Sequence, residues 1–253
     1  MRIWAVAGNT FREALRDKVL LTLVVVAFVV TAASRIIPPL AVGEGSKIVT
    51  DLGLATMTLF CVLISILVGG RLVYKEIEKR TILTMLAKPI RRWEFLVGKY
   101  VGLMLVLVTS VVIMTAWFGL FLVISRIPVR PILLLAIAMI ILELGVVTAI
   151  ALLFSTFTTP ISSAVFAFGI YFTGSMSRDL LDLAAMNRSL LVKGIAYALY
   201  YILPNFSSLD YRAVAVYNLL VDPLRLAWTI AYGLTYIVVA LLLAVLVFHR
   251  RNF

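Results

Sequence analysis

Residues 131–154 read PILLLAIAMIILELGVVTAIALLF, twenty-four residues with one charge among them, Glu143. As a helix this stretch is about 36 Å long, and the hydrocarbon layer of a bilayer is about 30 Å thick. A helix apolar on every side over that length belongs in a membrane or in the core of a large protein. The whole chain decides for the membrane. Of 253 residues, 63% are hydrophobic and 14% charged, and the mean hydropathy is +1.11. Soluble domains average about 45–50% apolar and about 25% charged. The excess excludes one or two soluble domains of this length, and it excludes disorder. The lone Cys61 excludes a disulfide scaffold.

Five further apolar runs flank this one, at 19–37, 52–70 and 100–124 upstream and at 159–174 and 226–248 downstream. Together they predict an all-α polytopic membrane protein with six transmembrane helices, one domain over 1–253, and no room for a nucleotide-binding domain. The run at 159–174 is short, with an apolar core of about 14 residues against a usual minimum of about 17. The first run is longer than the apolar core of a signal peptide and is followed by Arg35 and Pro38-Pro39, so it reads as a retained span. The stretch 190–203 is apolar except for Lys193, Gly194 and its tyrosines, and it stops at Pro204. It reads as an interfacial helix, with Tyr197, Tyr200 and Tyr201 at the headgroup level, or as a partly re-entrant one.

Basic residues set orientation because they resist translocation. Six spans put both termini on one side, and that side holds fourteen of the 23 basic residues. It is expected to be the cytoplasmic side of an inner (cytoplasmic) membrane. A seventh span at 190–203 would carry Arg250 and Arg251 outside, against the charge rule. The net charge of +11 then belongs with anionic membrane lipid, not with nucleic acid.

Two segments stand out on the basic side. In residues 1–18, Trp4, Ala7, Phe11 and Leu15 recur at helical spacing, while Asn9, Arg12, Glu13 and Arg16 occupy other angles. That is the pattern of an amphipathic interfacial helix; the plainer alternative is the charged start of the first span. Residues 71–99 read RLVYKEIEKRTILTMLAKPIRRWEFLVGK. Glu76 and Arg80 stand four apart and fit one helix face. Lys88-Pro89 breaks that helix before a second one leads into the third run. A helix, a break and a helix can dock a cytoplasmic partner, although composition alone favours an ordinary positive-inside loop.

This loop resembles that of the ABC-2 type transporter permeases, on Glu76, Arg80, Thr81, Leu83, Leu86, Pro89, Arg92, Phe95, Gly98 and Lys99. Arg80 stands where that family commonly has glycine. The span plan, the N-terminal helix and the long outer region before the last span are similar too, so the resemblance covers nearly the whole chain. Within the family it is closest to the branch associated with nitrous-oxide reductase and multi-copper enzyme maturation. The resemblance implies a permease subunit of an ATP-driven transporter, an exporter of unknown substrate. It implies a dimer, in its simplest form a homodimer, served by two copies of an ABC ATPase that binds ATP and Mg. It implies that Glu76, Glu78, Arg80, Lys88 and Pro89 belong to the ATPase coupling region, and it admits a periplasmic or lipoprotein partner. The alternatives are a membrane scaffold coupling ATP hydrolysis to maturation of an extracytoplasmic protein, and an ion-coupled secondary transporter, for which no inverted repeat is visible.

No catalytic, cofactor-binding or metal-binding residue is expected in this chain. The phosphate loop G-x-x-x-x-G-K-[ST] and the H-E-x-x-H motif are missing, and His249 is the one histidine. The intramembrane Glu143 is a functional candidate because a charge there is unfavourable unless paired or hydrated. Its open roles are contact with substrate or a cation, proton coupling, and a hydrogen bond between helices. Thr58, Cys61, Ser65, Gly69 and Gly70 in the second run, and Ser162, Ser163, Gly169 and Gly174 in the fifth, suit close helix contact first and a hydrated path second. In the outer region 175–225, Arg178, Asp179, Asp182 and Arg212 are candidates for an outer gate or a partner contact, or form a solvated rim.

Overall fold

The computed structural model describes residues 2–36, 45–78, 91–186 and 190–250. Among the described residues the chain is entirely helical, with no strand. The helices are α1 (Arg2–Leu15), α2 (Lys18–Ala33) with a 3-10 turn (Ser34–Ile36), α3 (Gly45–Glu78), α4 (Arg92–Ile124), α5 (Ile132–Ser155), α6 (Pro160–Ser175), α7 (Ser177–Met186), α8 (Leu190–Ile202), α9 (Phe206–Leu209), α10 (Arg212–Tyr217) and α11 (Pro223–Arg250).

Local chemistry fixes several helix starts. Asp17 Oδ1 accepts the Val19 amide at 2.9 Å at the head of α2, which satisfies one of the free first-turn donors. Glu94 Oε2 accepts the Arg91 amide at 2.8 Å and does the same for α4. Thr159 caps α6, and Pro160 follows as its first residue, where a missing N–H does no harm.

Among the described residues, four helical stretches are long and apolar enough to cross a membrane: Gly45–Arg71, Arg92–Ile124, Ile132–Ser155 and Pro223–Arg250. Helices α2 and α6 have 16 residues each, about 24 Å, less than the hydrocarbon thickness of about 30 Å. Helix α3 departs from the bounds of its apolar run. It continues through Asp51 and Lys47 at one end and past Arg71 at the other. Adding a residue to an existing helix gains a hydrogen bond without a new nucleus, so a polar flank need not end it. Thr50 joins in, donating its hydroxyl to the Ser46 carbonyl at 2.8 Å.

Helix α5 forms the centre, packed against α3, α4, α6 and α11. Leu144, Ala149, Ala151 and Leu152 on it are fully buried. Hydroxyl groups tie the neighbours to it. Ser65 Oγ and Thr148 Oγ1 lie 2.9 Å apart between α3 and α5. Ser163 donates to the Ala151 carbonyl at 3.1 Å from α6, and Tyr100 to the Gly145 carbonyl at 3.3 Å from α4. Ser65 and Ser163 therefore act in helix–helix contact. On the periphery, α2 stacks Phe28 on Trp117 of α4 with ring centroids 5.1 Å apart. Helix α11 leaves Trp228, Leu234, Val238, Leu242 and Leu246 exposed, a surface for lipid or another subunit.

The two ends of the bundle differ. At the termini face, α1 lies across α4, and the C-terminal end of α11 meets the start of α4. Arg92 Nη1 donates to the Phe248 and His249 carbonyls at 3.2 and 2.9 Å, satisfying last-turn acceptors of α11. At the opposite face, α7 to α10 connect α6 to α11. Helices α7 and α8 form a pair, whereas α9 and α10 descend among α3, α5, α6 and α11.

Candidate functional site

Glu143 sits eleven residues from the start of α5 and twelve from its end, roughly 16–18 Å from each. It is 5% exposed. Tyr171 on α6 lies beside the Glu143 carboxyl, and Asp210 and Arg212 lie within electrostatic range of both. Four polar side chains from three separate segments thus converge at the middle of the bundle, under the face opposite the termini.

Asp210 and Arg212 form the upper part of this cluster. Arg212 Nε donates to Asp210 Oδ1 at 2.9 Å and Nη2 to Oδ2 at 2.7 Å, a two-bond fork. The Arg212 amide adds a third bond to Oδ1 at 2.9 Å. The carboxylate's hydrogen bonding raises the Arg212 guanidinium above its ordinary value, against an opposing contribution from burial. Each side chain stays about one-third exposed, 32% for Arg212 and 33% for Asp210, so the pair borders a space open to water.

The chain that carries the pair is held by Asn205. Its Oδ1 accepts Ser177 Oγ at 2.6 Å and the Ser208 amide at 3.0 Å. Its own amide donates to the Tyr232 hydroxyl at 2.8 Å. Tyr232 lies nine residues into α11, about 13 Å below its first residue. Irregular backbone at such a level is tolerated where protein buries it or water reaches it. Both conditions hold here: Phe206, Leu209 and Tyr211 are buried, while Asn205, Ser207, Ser208, Asp210 and Arg212 are partly exposed. Gly174 makes the close approach feasible, because a Cβ there would overlap the Pro204 carbonyl oxygen and meet Phe206 Cδ2 at 2.8 Å. The segment after α8 is thus sunk into the bundle end, and α6 stops beneath it. Helix α10 closes at Asn218, which takes a left-handed φ of 53°, and Lys47 of α3 lies 5.3 Å from the Tyr217 ring centre.

The termini face carries the other candidates. Glu76 and Glu78 fall in the last turns of α3; Arg80, Lys88 and Pro89 lie outside the described residues. Gly98 and Gly102 form a seat for α1. A Cβ on Gly98 would stand 2.7 Å from Val6 Cβ, and one on Gly102 2.6 Å from Thr10 Cβ. Lys99 is 1% exposed, with its Nζ 5.8 Å from the Phe95 ring centre. Arg71 Nη2 lies 3.4 Å from Asp17 Oδ2 and ties the end of the apolar part of α3 to the α1–α2 corner.

Of the outer residues singled out in the sequence, Arg212 joins Glu143, whereas Asp179 and Asp182 are exposed on α7. Arg178 also belongs to α7. Sequence reasoning missed Tyr171 and Asp210. Tyr171 is one of ten tyrosines, and nothing in its neighbours marks it. Asp210 had a signal: an acid two residues before an arginine, just after a proline-ended apolar run.

A family model described as ABC-2 family transporter protein matches residues 4–253. The chain belongs to that family. It is a membrane protein, and membership makes it the membrane-embedded subunit of an ABC transporter, associated with an ABC ATPase subunit. No curated protein matches the chain.

Proposed function

We propose that the chain is the permease of an ATP-driven exporter, crossing an inner (cytoplasmic) membrane six times with both termini in the cytoplasm. Two copies form the pathway, and two ATPase subunits carry ATP and Mg. Helices α2 and α6 complete the six passes. Helix α6 is short because the sunken 204–212 segment takes over its outer end, and α2 gains length from its 3-10 turn. The narrower resemblance to maturation permeases makes components of extracytoplasmic metalloenzyme assembly the first cargo class to test.

One observation carries this reading: Glu143 and Tyr171 lie beneath a partly exposed polar segment that carries the Asp210–Arg212 pair, on the side remote from the proposed coupling region. In this mechanism the 204–212 segment is the outer closure, and Glu143 and Tyr171 line the floor beneath it. Glu76, Glu78, Arg80, Lys88 and Pro89 receive the ATPase stroke. The rigid seat of α1 on Gly98 and Gly102, with the Arg71–Asp17 contact, passes that stroke to α2, α3 and α4 together. Asp179 and Asp182 stand outside the closure, where a periplasmic or lipoprotein partner can reach them.

The test is purification of the tagged protein from mild detergent, with co-purifying chains identified and ATP hydrolysis measured. A stoichiometric ATPase with a phosphate-loop motif is expected. A permease that purifies alone and without ATPase activity, under conditions that preserve known complexes, would overturn the reading in favour of ion-coupled transport through Glu143.

A further inference from the structure

The corner where α1 turns into α2 holds a second site. It is an open cavity of about 780 Å³, with Arg12, Glu13, Arg16, Asp17 and Arg71 on its walls and Ala14 and Val68 among its lining. The acids are already engaged. Asp17 caps α2 through Oδ1 and faces Arg71 through Oδ2, and Glu13 has a partner of its own. Arg71 is engaged as well, donating Nε to the Leu67 carbonyl at 2.9 Å. Arg12 and Arg16 differ. They stand four residues apart, Arg12 in the last turn of α1 and Arg16 just past its end, both exposed, and among the described residues neither makes an ion pair. Two free guanidinium forks beside committed carboxylates suit a phosphate group.

The position selects the kind of phosphate. Val68 belongs to the apolar part of α3, which ends at Arg71, so the cavity lies at the edge of the hydrocarbon layer. Trp4 and Trp93 are exposed at the same end of the bundle, as interfacial tryptophans are. From the cavity α2 rises with Leu21, Val25 and Val29 exposed at four-residue spacing, an apolar stripe along one face. A cationic pocket at the foot of an apolar stripe matches the two halves of a phospholipid. We propose that this corner binds a phospholipid with an anionic headgroup: the phosphate against Arg12 and Arg16, and an acyl chain along Leu21, Val25 and Val29. The lipid would fix α1 to the membrane surface where α1 grips α4.

Native mass spectrometry of the detergent-purified protein tests this, with titrations of phosphatidylglycerol, phosphatidylcholine and inorganic phosphate. Phosphatidylglycerol should bind more tightly than phosphatidylcholine. The double variant Arg12→Gln, Arg16→Gln should weaken phosphatidylglycerol binding about thirtyfold, the factor expected for two interfacial arginines, and phosphatidylcholine binding by a clearly smaller factor, because its choline ammonium offsets the phosphate charge. Arg12→Lys with Arg16→Lys should restore most of the preference, which guards against a folding defect. Arg126→Gln with Arg130→Gln, on the opposite face, should have no effect. Equal binding of the two lipids would overturn the proposal, as would an equal loss in both glutamine pairs. Inorganic phosphate displacing phosphatidylglycerol at similar concentration would make this a site for free anions and overturn it too.

Discussion

Glu143 is legible from sequence because a carboxyl in an otherwise apolar run of twenty-four residues has few innocent explanations. Its partners are not legible, because the fold alone brings α6 and the 204–212 segment to the same level. Glu143→Gln keeps the shape of the side chain and can still hydrogen-bond. Thermal unfolding should therefore shift little, by under about 1 kcal/mol, and transport should tell the roles apart: retained activity means helix packing, and lost activity at normal expression means a pathway role. Arg212→Gln removes the partner of Asp210, but both groups are one-third exposed, and water compensates part of the loss. A destabilisation of roughly 1 kcal/mol is expected, with a larger effect on function if the proposed closure loses its fork. Unchanged transport in Arg212→Gln vesicles would remove the pair from the gate. Gly174→Ala forces a methyl into the Pro204 carbonyl and should lower stability by about 1–3 kcal/mol through overpacking, read as the same thermal shift.

At the scale of elements, hydropathy locates the long helices well and their ends poorly. Helix α5 matches its apolar run almost residue for residue, because lipid and protein demand the same apolar surface along its whole length. Helix α3 does not, since hydropathy reports burial and a helix can extend beyond the buried part. The stretch 190–203 stays ambiguous in sequence for a physical reason. Its exposed face carries Leu191, Ile195, Tyr201 and Ile202 and its packed face Ala196, so apolar side chains lie all round whether it rests on a membrane or enters one. The α1 seat could have been read from Gly98 and Gly102 at four-residue spacing, a small-residue groove. It yields a sharp test. Gly102→Val should push α1 off α4, because Thr10 Cβ and the Ala7 carbonyl leave no room. Limited trypsin digestion should then cut after Arg12 and Arg16 faster than in the parent protein, while the bundle core stays intact. An unchanged digestion pattern would mean that α1 is anchored by something other than this groove.

For the whole molecule, the polar asymmetry of the two ends is what sequence and structure share. The termini face gathers α1, the start of α4, the end of α11 and the outgoing turn of α3; the opposite face gathers the sunken polar segment. If the charge rule assigns these faces correctly, cysteines at Ser46 and at Thr84, introduced into a chain lacking Cys61, should behave oppositely. Ser46 is exposed in the first turn of α3 and should take an impermeant label from outside, while Thr84 should react only after permeabilisation. Orientation alone does not establish coupling, and the decisive experiment reverses charge where α3 leaves the bundle. Glu76→Lys with Glu78→Lys changes four units of charge on a helix whose other end reaches the outer segment, with Lys47 against Tyr217. A helix of 34 residues moves its ends together more readily than it bends. Disturbing the end proposed to meet the ATPase should therefore lower transport several-fold while leaving membrane insertion and the basal hydrolysis of the ATPase in place. Normal coupling in that variant would detach the α3 end from the ATPase and leave the outer closure without its mechanical link.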